Sequence, residues 1–158
     1  MKKEIEEQAM VSRYIIEQFK TIRLREFTES GPRTVQAGNM IHLKTEYTVD
    51  LDNVIKPELG SVMLQLLHPT SAVCGMPKFS ALSFIIANES LSRELYSGFI
   101  GPVNMNGLTQ LYVNLRCMQI LKTRAVLYAG AGITHGSKAE KEWAETALKC
   151  QTLLDLMS

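Results

Sequence analysis

Residues 108–137 read LTQLYVNLRCMQILKTRAVLYAGAGITHGS, and how this stretch is read decides the fold. Leu111, Val113, Leu115 and Cys117 alternate with Tyr112, Asn114, Arg116 and Met118, the period of two that a strand requires. Leu121–Thr123 interrupts the pattern and RAVLYAGAGI resumes it. The spacing therefore predicts a long strand over 108–120 that turns and returns through 124–133. Just upstream, Leu95–Val103 reads as a strand and Asn104–Gly107 as a turn, which extends the pattern to a β meander. Downstream, 138–157 carries a helical pattern, with Ser137 as N-cap and acidic residues in the first turns.

Outward from this core, Glu4–Lys20 predicts a helix from the recurrence of Ile5, Met10, Ile15 and Phe19 among charged residues. No N-cap residue precedes that pattern, so the sequence reads as starting inside a helix. Glu29-Ser30-Gly31-Pro32 reads as a loop. RTVQAGNMIHLKTEYTVDL reads as a strand pair or one bent strand, interrupted at Gly38-Asn39. PELGSVMLQLL and PKFSALSFIIANES read as helices opened by Pro57 and Pro77, with HPTSAVCGMP as the loop between them. Helices separated by antiparallel strands predict an α+β domain: an antiparallel or mixed sheet with helices packed outside it. No linker divides the chain.

The 158 residues are 46% hydrophobic and 21% charged, a globular composition with length enough for a sizeable core. A formal net charge of +1 gives no basic field for nucleic acid or membrane surfaces. No apolar run approaches the roughly 18 residues of a membrane span. The 3 cysteines (Cys74, Cys117, Cys150) form no CxxC pair and suit a reducing cytosol. The expected location is therefore cytoplasmic, without nucleic-acid or membrane partners.

Three features carry chemistry. Glu142, Glu145 and Lys149 share one helix face, either as a salt-bridged surface or as one wall of a metal site that grips an anion. Glu4 and Glu7 repeat the i,i+3 carboxylate spacing near the N-terminus. Two helices with two carboxylates each suit one hard cation such as Mg²⁺. Arg116, inside an apolar-rich strand, is either a half-buried arginine with a solvated head or a bidentate clamp on a carboxylate. Gly130-Ala131-Gly132 does not match GxGxxG, and a meander is not βαβ, so a dinucleotide site is rejected. No GxSxG, HExxH or P-loop occurs.

In order, LHPTSAVCGMPK, LYSGFIGPV, LYVNLRCMQI, LYAGAGITHGS and EWAETALK resemble the C-terminal part of chorismate-binding enzymes, and within them isochorismate synthases. HPTSAVCGMP separates the chain from anthranilate and aminodeoxychorismate synthases, which carry a PSGTVSGAPK-like string there. The resemblance implies the chorismate-utilising fold and Mg²⁺-dependent conversion of chorismate to isochorismate. It implies Glu7 and Glu145 as direct Mg²⁺ ligands, with Glu4 and Glu142 acting through water. The family's Glu-His pair is here Glu7-Gln8. Arg116 and Lys149 would bind substrate carboxylate, the Gly130 and Gly132 backbone would touch the same ligand, and Ala72 and Tyr96 would line the ring pocket. His42, in GNMIHL, matches a family histidine near the reacting centre.

Family members are much longer, and their preceding half supplies a lysine base and a glutamate acid. Residues 1–158 are thus expected to be the C-terminal portion of a chorismate-binding domain, inactive alone and prone to self-association or to pairing with an N-terminal half. A salicylate synthase-type enzyme is one alternative, although relatives of that type carry threonine where Ala72 stands. A non-catalytic fragment that binds a carboxylate or a partner chain is another. Isochorismate feeds menaquinone, catecholate siderophores and salicylate, and these residues do not choose among them.

Overall fold

In a computed structural model, residues 2–37, 40–53 and 58–157 are described, and the chain gathers into two compact units, Met1–Lys78 and Phe79–Ser158. The expected turn at Gly38-Asn39 and the helix-opening Pro57 lie outside the described residues.

The first unit starts with helix α1 (Lys2–Thr21). Its buried stripe holds Tyr14 and Phe19, while Ile5 and Met10, expected on the inner face, are exposed. The helix ends in a Schellman turn. Arg23 takes a left-handed φ of 57°, its N–H reaches the Lys20 carbonyl at 2.9 Å, and the Leu24 N–H reaches the Phe19 carbonyl at 2.9 Å. The turn lays Leu24 on Phe19, and these two with Leu59 form the unit's apolar centre, flanked by Ile15, Ile22, Phe27, Tyr47, Val49 and Met63.

Strands β1 (Thr28–Ala37) and β2 (Met40–Thr48) form an antiparallel hairpin, the expected strand pair. The stretch Glu29–Pro32 is not a loop but part of β1. A bulge between Ser30 and Arg33 absorbs it, with Gly31 at φ 123°. A Cβ at Gly31 would lie 2.6 Å from the Lys44 carbonyl oxygen. Proline needs no ladder hydrogen bond at a bulge, which is why Gly-Pro does not break this strand. The inner face of β2 sends Tyr47 edge-on to Phe19, with ring centroids 5.8 Å apart. The outer face carries Glu46, paired with both Arg33 and Lys44.

A 3-10 turn (Leu51–Asn53) and helix α2 (Leu59–Leu67) follow. The HPTSAVCGMP segment is not wholly loop, because α3 (Ser71–Cys74) forms inside it and buries Ser71 and Cys74. α1 packs against α2, α3 and β2. The carbonyls at the end of α2 are gathered by Lys78, whose Nζ donates to Leu66 O at 3.1 Å, His68 O at 2.9 Å and the Tyr14 hydroxyl at 3.2 Å. Tyr14 in turn donates to Leu66 O at 2.7 Å.

Helix α4 (Lys78–Asn88) leads into the second unit. The α+β class holds, and among the described residues every strand pairing is antiparallel. The continuous meander does not form. Leu95–Val103 reduces to β3 (Phe99–Ile100), paired with β4 (Tyr112–Val113). The long strand breaks at Arg116, whose φ of 50° is left-handed, and restarts as β5 (Cys117–Ile120), paired with β6 (Ala125–Tyr128). Alternation cannot pass through a left-handed residue, so the two four-residue faces read from 111–118 do not exist as faces. Helix α5 (Ala139–Leu154) has Lys138 rather than Ser137 at its N-cap position, with no side-chain cap. The Ser137 hydroxyl instead accepts the Thr134 N–H at 2.9 Å.

Among the described residues, every buried apolar side chain belongs to the first unit: Tyr14, Phe19, Leu24, Leu59 and Cys74. The second unit exposes Phe79 (85%), Ile120 (80%) and Trp143 (77%).

Candidate functional site

The second unit assembles four of the expected site residues around one backbone group. Lys149 Nζ donates to the Gly130 carbonyl at 2.8 Å and pairs with Glu145 Oε1 at 2.7 Å. The helical rise sets Lys149 one turn beyond Glu145, and Gly130 stands just past the end of β6, after Ala129. Gly130 has no side chain to spare: a Cβ there would stand 2.8 Å from the Tyr96 hydroxyl. The Tyr96 ring stacks on Tyr128, centroids 5.6 Å apart and planes 20° from parallel. Glu145, Lys149, Gly130 and Tyr96 thus form one polar cluster with an aromatic floor. Of the two readings of this helix face, the salt-bridged one is met for Glu145 and Lys149, which form an ion pair.

Glu142 lies one turn before Glu145 and is 7% exposed, whereas the adjacent Trp143 is 77% exposed. A helix that turns a carboxylate inward and an indole outward is not arranged for simple solvation. Arg116 occupies the left-handed break ahead of β5, and its neighbour Cys117 pairs with Tyr128. Gly132 is half-buried in the segment between β6 and α5. Burial is the main cause that raises the Tyr96 phenol's pKa. The Arg93 guanidinium opposes it, and Cys117, Glu89 and Cys150 add to it.

The first unit holds Glu4, Glu7, His42 and Ala72. Glu4 is exposed, while Glu7 is half-buried and its Oε1 is shielded from solvent. Next to it, Gln8 Nε2 donates to Thr45 Oγ1 at 2.9 Å, tying α1 to β2. Strand alternation places His42 with Lys44 and Glu46, on the face opposite Thr45 and Tyr47. The structure therefore does not turn His42 and Gln8 to the same side of the hairpin. Ala72 is exposed on α3.

Among the described residues, no three His, Cys, Asp or Glu side chains converge as a metal cage. The carboxylates come instead in pairs, Glu4 with Glu7 and Glu142 with Glu145. All are hard oxygen donors, and Mg²⁺ is commonly held by one or two carboxylates with waters and ligand oxygens completing its shell. The donor chemistry fits that ion.

Sequence reasoning missed Glu89, Arg93, Ser97 and Tyr128, which surround Tyr96. The i,i+4 spacing of Glu89 and Arg93 was the available signal.

The chain matches the sequence model of the family described as chorismate binding enzyme over residues 1–158, and it belongs to that family. It is 39% identical over 121 residues to isochorismate synthase DhbC of Bacillus subtilis, covering 73% of this chain and 30% of that protein. It is 32% identical over 127 residues to isochorismate synthase EntC of Escherichia coli, covering 80% of this chain and 32% of that protein. Anthranilate synthase component 1 of Lactococcus lactis is 33% identical over 116 residues, 73% of this chain and 25% of that protein. The chain thus spans about a third or less of the length of these relatives. No single described helix is long and apolar enough to cross a membrane.

Proposed function

We propose that this chain carries one wall of the chorismate site of an isochorismate synthase. The observation that carries the reading is the Lys149 ammonium, fixed between Glu145 and the Gly130 carbonyl beside Tyr96. An ammonium held next to a carboxylate and an exposed backbone suits a ligand that is an acid bound together with a cation. Two relatives that match most of this chain are isochorismate synthases.

In this reading Glu145 would hold Mg²⁺ directly with Glu142 acting through water, and the resemblance gives the same two roles to Glu7 and Glu4 of the first unit. Bound Mg²⁺ would offset the charge of the substrate carboxylate and fix its orientation. Lys149 and Arg116 bind carboxylate oxygens, with the Gly130 and Gly132 backbone against the same group. Tyr96 and Ala72 line the ring, and His42 serves near the reacting carbon. The lysine base and glutamate acid that move protons are supplied from outside these residues, so this chain alone binds and orients without turnover. The apolar side chains exposed in the second unit are the surface for pairing with that complement.

The test is chorismate with Mg²⁺, products resolved by chromatography, on this chain alone and on the chain mixed with the preceding two-thirds of a full-length isochorismate synthase. Isochorismate only in the mixture supports the reading. Salicylate in place of isochorismate would reassign the chain to the pyruvate-eliminating branch. Neither product nor chorismate binding in the mixture would leave a non-catalytic fragment.

A further inference from the structure

The backbone turns sharply around Tyr96. Glu94 (φ 47°) and Ser97 (φ 69°) both sit in the left-handed region, which side-chain-bearing residues enter only when their surroundings hold them there. The restraints are identifiable. Glu89, just past the end of α4, accepts Arg93 Nε at 2.6 Å and Arg93 Nη2 at 2.6 Å, a two-pronged fork. The Arg93 carbonyl accepts the Tyr96 N–H at 2.7 Å, and Arg93 Nη1 reaches the hydroxyl of buried Ser97 at 3.4 Å. On the far side, the Ser97 N–H bonds the Asn114 carbonyl at 2.9 Å, and the Asn114 side chain bonds the Leu95 carbonyl at 2.9 Å. The product of this turn is a Tyr96 ring stacked on Tyr128, with its hydroxyl against Gly130.

We propose that Glu89 and Arg93 are positioning residues for Tyr96. Their fork clamps the turn that lays the Tyr96 phenol on the bare Gly130 backbone, whose carbonyl receives Lys149. Neither residue needs to touch a ligand. They set where one edge of the anion site stands. The positional claim stands on the geometry alone, and its bearing on the reaction rests on the chorismate reading.

Two opposing influences on the Tyr96 phenol make the claim testable by sign. Burial raises its pKa most and Arg93 lowers it, while Cys117, Glu89 and Cys150 raise it further. If Arg93 only supplied charge, its removal would move the titration up. If it holds the turn, its removal frees the phenol to water and moves the titration down.

The experiment labels the 5 tyrosines with 3-fluorotyrosine in the 158-residue chain, assigns Tyr96 through Tyr96→Phe, and follows the ¹⁹F shifts through the alkaline range. Arg93→Met should lower the Tyr96 midpoint, towards the ordinary value of a solvated tyrosine. Arg93→Lys, which keeps the charge without the planar fork, should follow it. Glu89→Gln should move Tyr96 the same way by less. Tyr47, in the first unit, should not change.

A rise in the Tyr96 midpoint in Arg93→Met, or no change in it, overturns the proposal. So does simultaneous collapse of the Tyr96, Tyr112 and Tyr128 signals in Glu89→Gln, because the pair would then hold the whole unit rather than this turn. The chorismate reading is tested separately in the wild-type chain mixed with its complement. A Tyr96 signal unmoved by chorismate and Mg²⁺ counts against that reading and leaves the positional result standing.

Discussion

Replacing Lys78 with methionine should destabilise the first unit far more than its place at the start of a helix suggests. A lysine there is ordinarily a solvated surface charge whose loss costs within about 0.5 kcal/mol. Here Nζ donates to Leu66 O, His68 O and the Tyr14 hydroxyl at 2.9–3.2 Å. It also lies 5.8 Å from the centroid of the Tyr14 ring, and Tyr14 itself is buried. Each hydrogen bond to a charged donor is worth about 1.5–3 kcal/mol, set against the desolvation and ordering of a long side chain. Because the last carbonyls of α2 have no helical partner, they lose a donor in the variant. The net expectation is a loss of about 2–3 kcal/mol for Lys78→Met. Tyr14→Phe, which removes one neutral bond at 2.7 Å and the acceptor for Lys78, should cost about 1–1.5 kcal/mol. Urea unfolding followed by far-UV circular dichroism measures the ordering. Amide exchange of the His68 N–H, bonded to Leu64 O at 3.0 Å, localises it to the end of α2. A Lys78→Met cost below that of Tyr14→Phe, or unchanged exchange at His68, would mean that water serves these carbonyls as well as the lysine does.

Four further outcomes follow from the second unit. The side chains of Lys149 and Glu145 are 23% and 38% exposed, so their ion pair is worth about 0.5–1 kcal/mol; Lys149→Met should therefore tighten Mg²⁺ binding about 2–5-fold by calorimetry without ligand, and unchanged or weaker binding would remove the ion pair as a competitor. Gly130→Ala sets a Cβ 2.8 Å from the Tyr96 hydroxyl; near-UV circular dichroism should lose the Tyr96–Tyr128 stacking signal, with about 1–3 kcal/mol of destabilisation. Arg93 hydrogen bonds hold the Glu89 carboxyl below its ordinary pKa, against a smaller opposing effect of burial. The stability this gives is present above the unfolded-state glutamate value of about 4.3 and is lost as pH falls through the lowered folded value, so Glu89→Gln should flatten the acid limb of a stability–pH profile. Light scattering on the isolated chain should show self-association that mixing with its complement reverses; a monomer that binds no apolar-surface dye would contradict the exposure of Phe79, Ile120 and Trp143.

Elements set by local periodicity were legible in the sequence. α1, α2, α4 and α5 stand where spacing placed them, and the β1–β2 hairpin forms from the strand pair around Gly38-Asn39. What was not legible depends on single backbone torsions. Arg116 and Ser97 are not glycines, yet both are left-handed: Arg116 interrupts the expected long strand, and Ser97 holds the start of β3 back to Phe99. The reverse happened at Gly31-Pro32, a breaker pair that the hairpin absorbs as a bulge. In the candidate site, spacing put Glu142, Glu145 and Lys149 on one face but could not tell a carboxylate turned inward from one in water. Chain distance hid the link from Lys149 to Gly130, 19 residues away, and from Gly130 to Tyr96.

The two units differ in how their stability is built, and this bears on what the chain is for. The first has a conventional apolar centre of Phe19, Leu24 and Leu59, reinforced by the lysine that closes α2. The second buries Ser97 and Glu142 among the described residues, with its apolar side chains half-buried or, as at Phe79, Phe84, Ile120 and Trp143, exposed. A unit of that kind gains little from the hydrophobic effect and leans on ladders, the Glu89–Arg93 fork and the Lys149 bridge. Those same polar restraints order the Tyr96–Gly130–Lys149 cluster. A site held by ion pairs rather than by packing can exchange one ionic partner for another at small cost, whereas a packed core cannot rearrange so freely. Lys149 is the clearest case. It rests on Glu145 and Gly130, and an incoming cation and carboxylate would only redistribute charges that already face one another. On the proposed reading, the exposed apolar surface and the exchangeable ion pair are two consequences of one arrangement, in which this unit would supply ligand-binding groups and a further protein surface its hydrophobic closure.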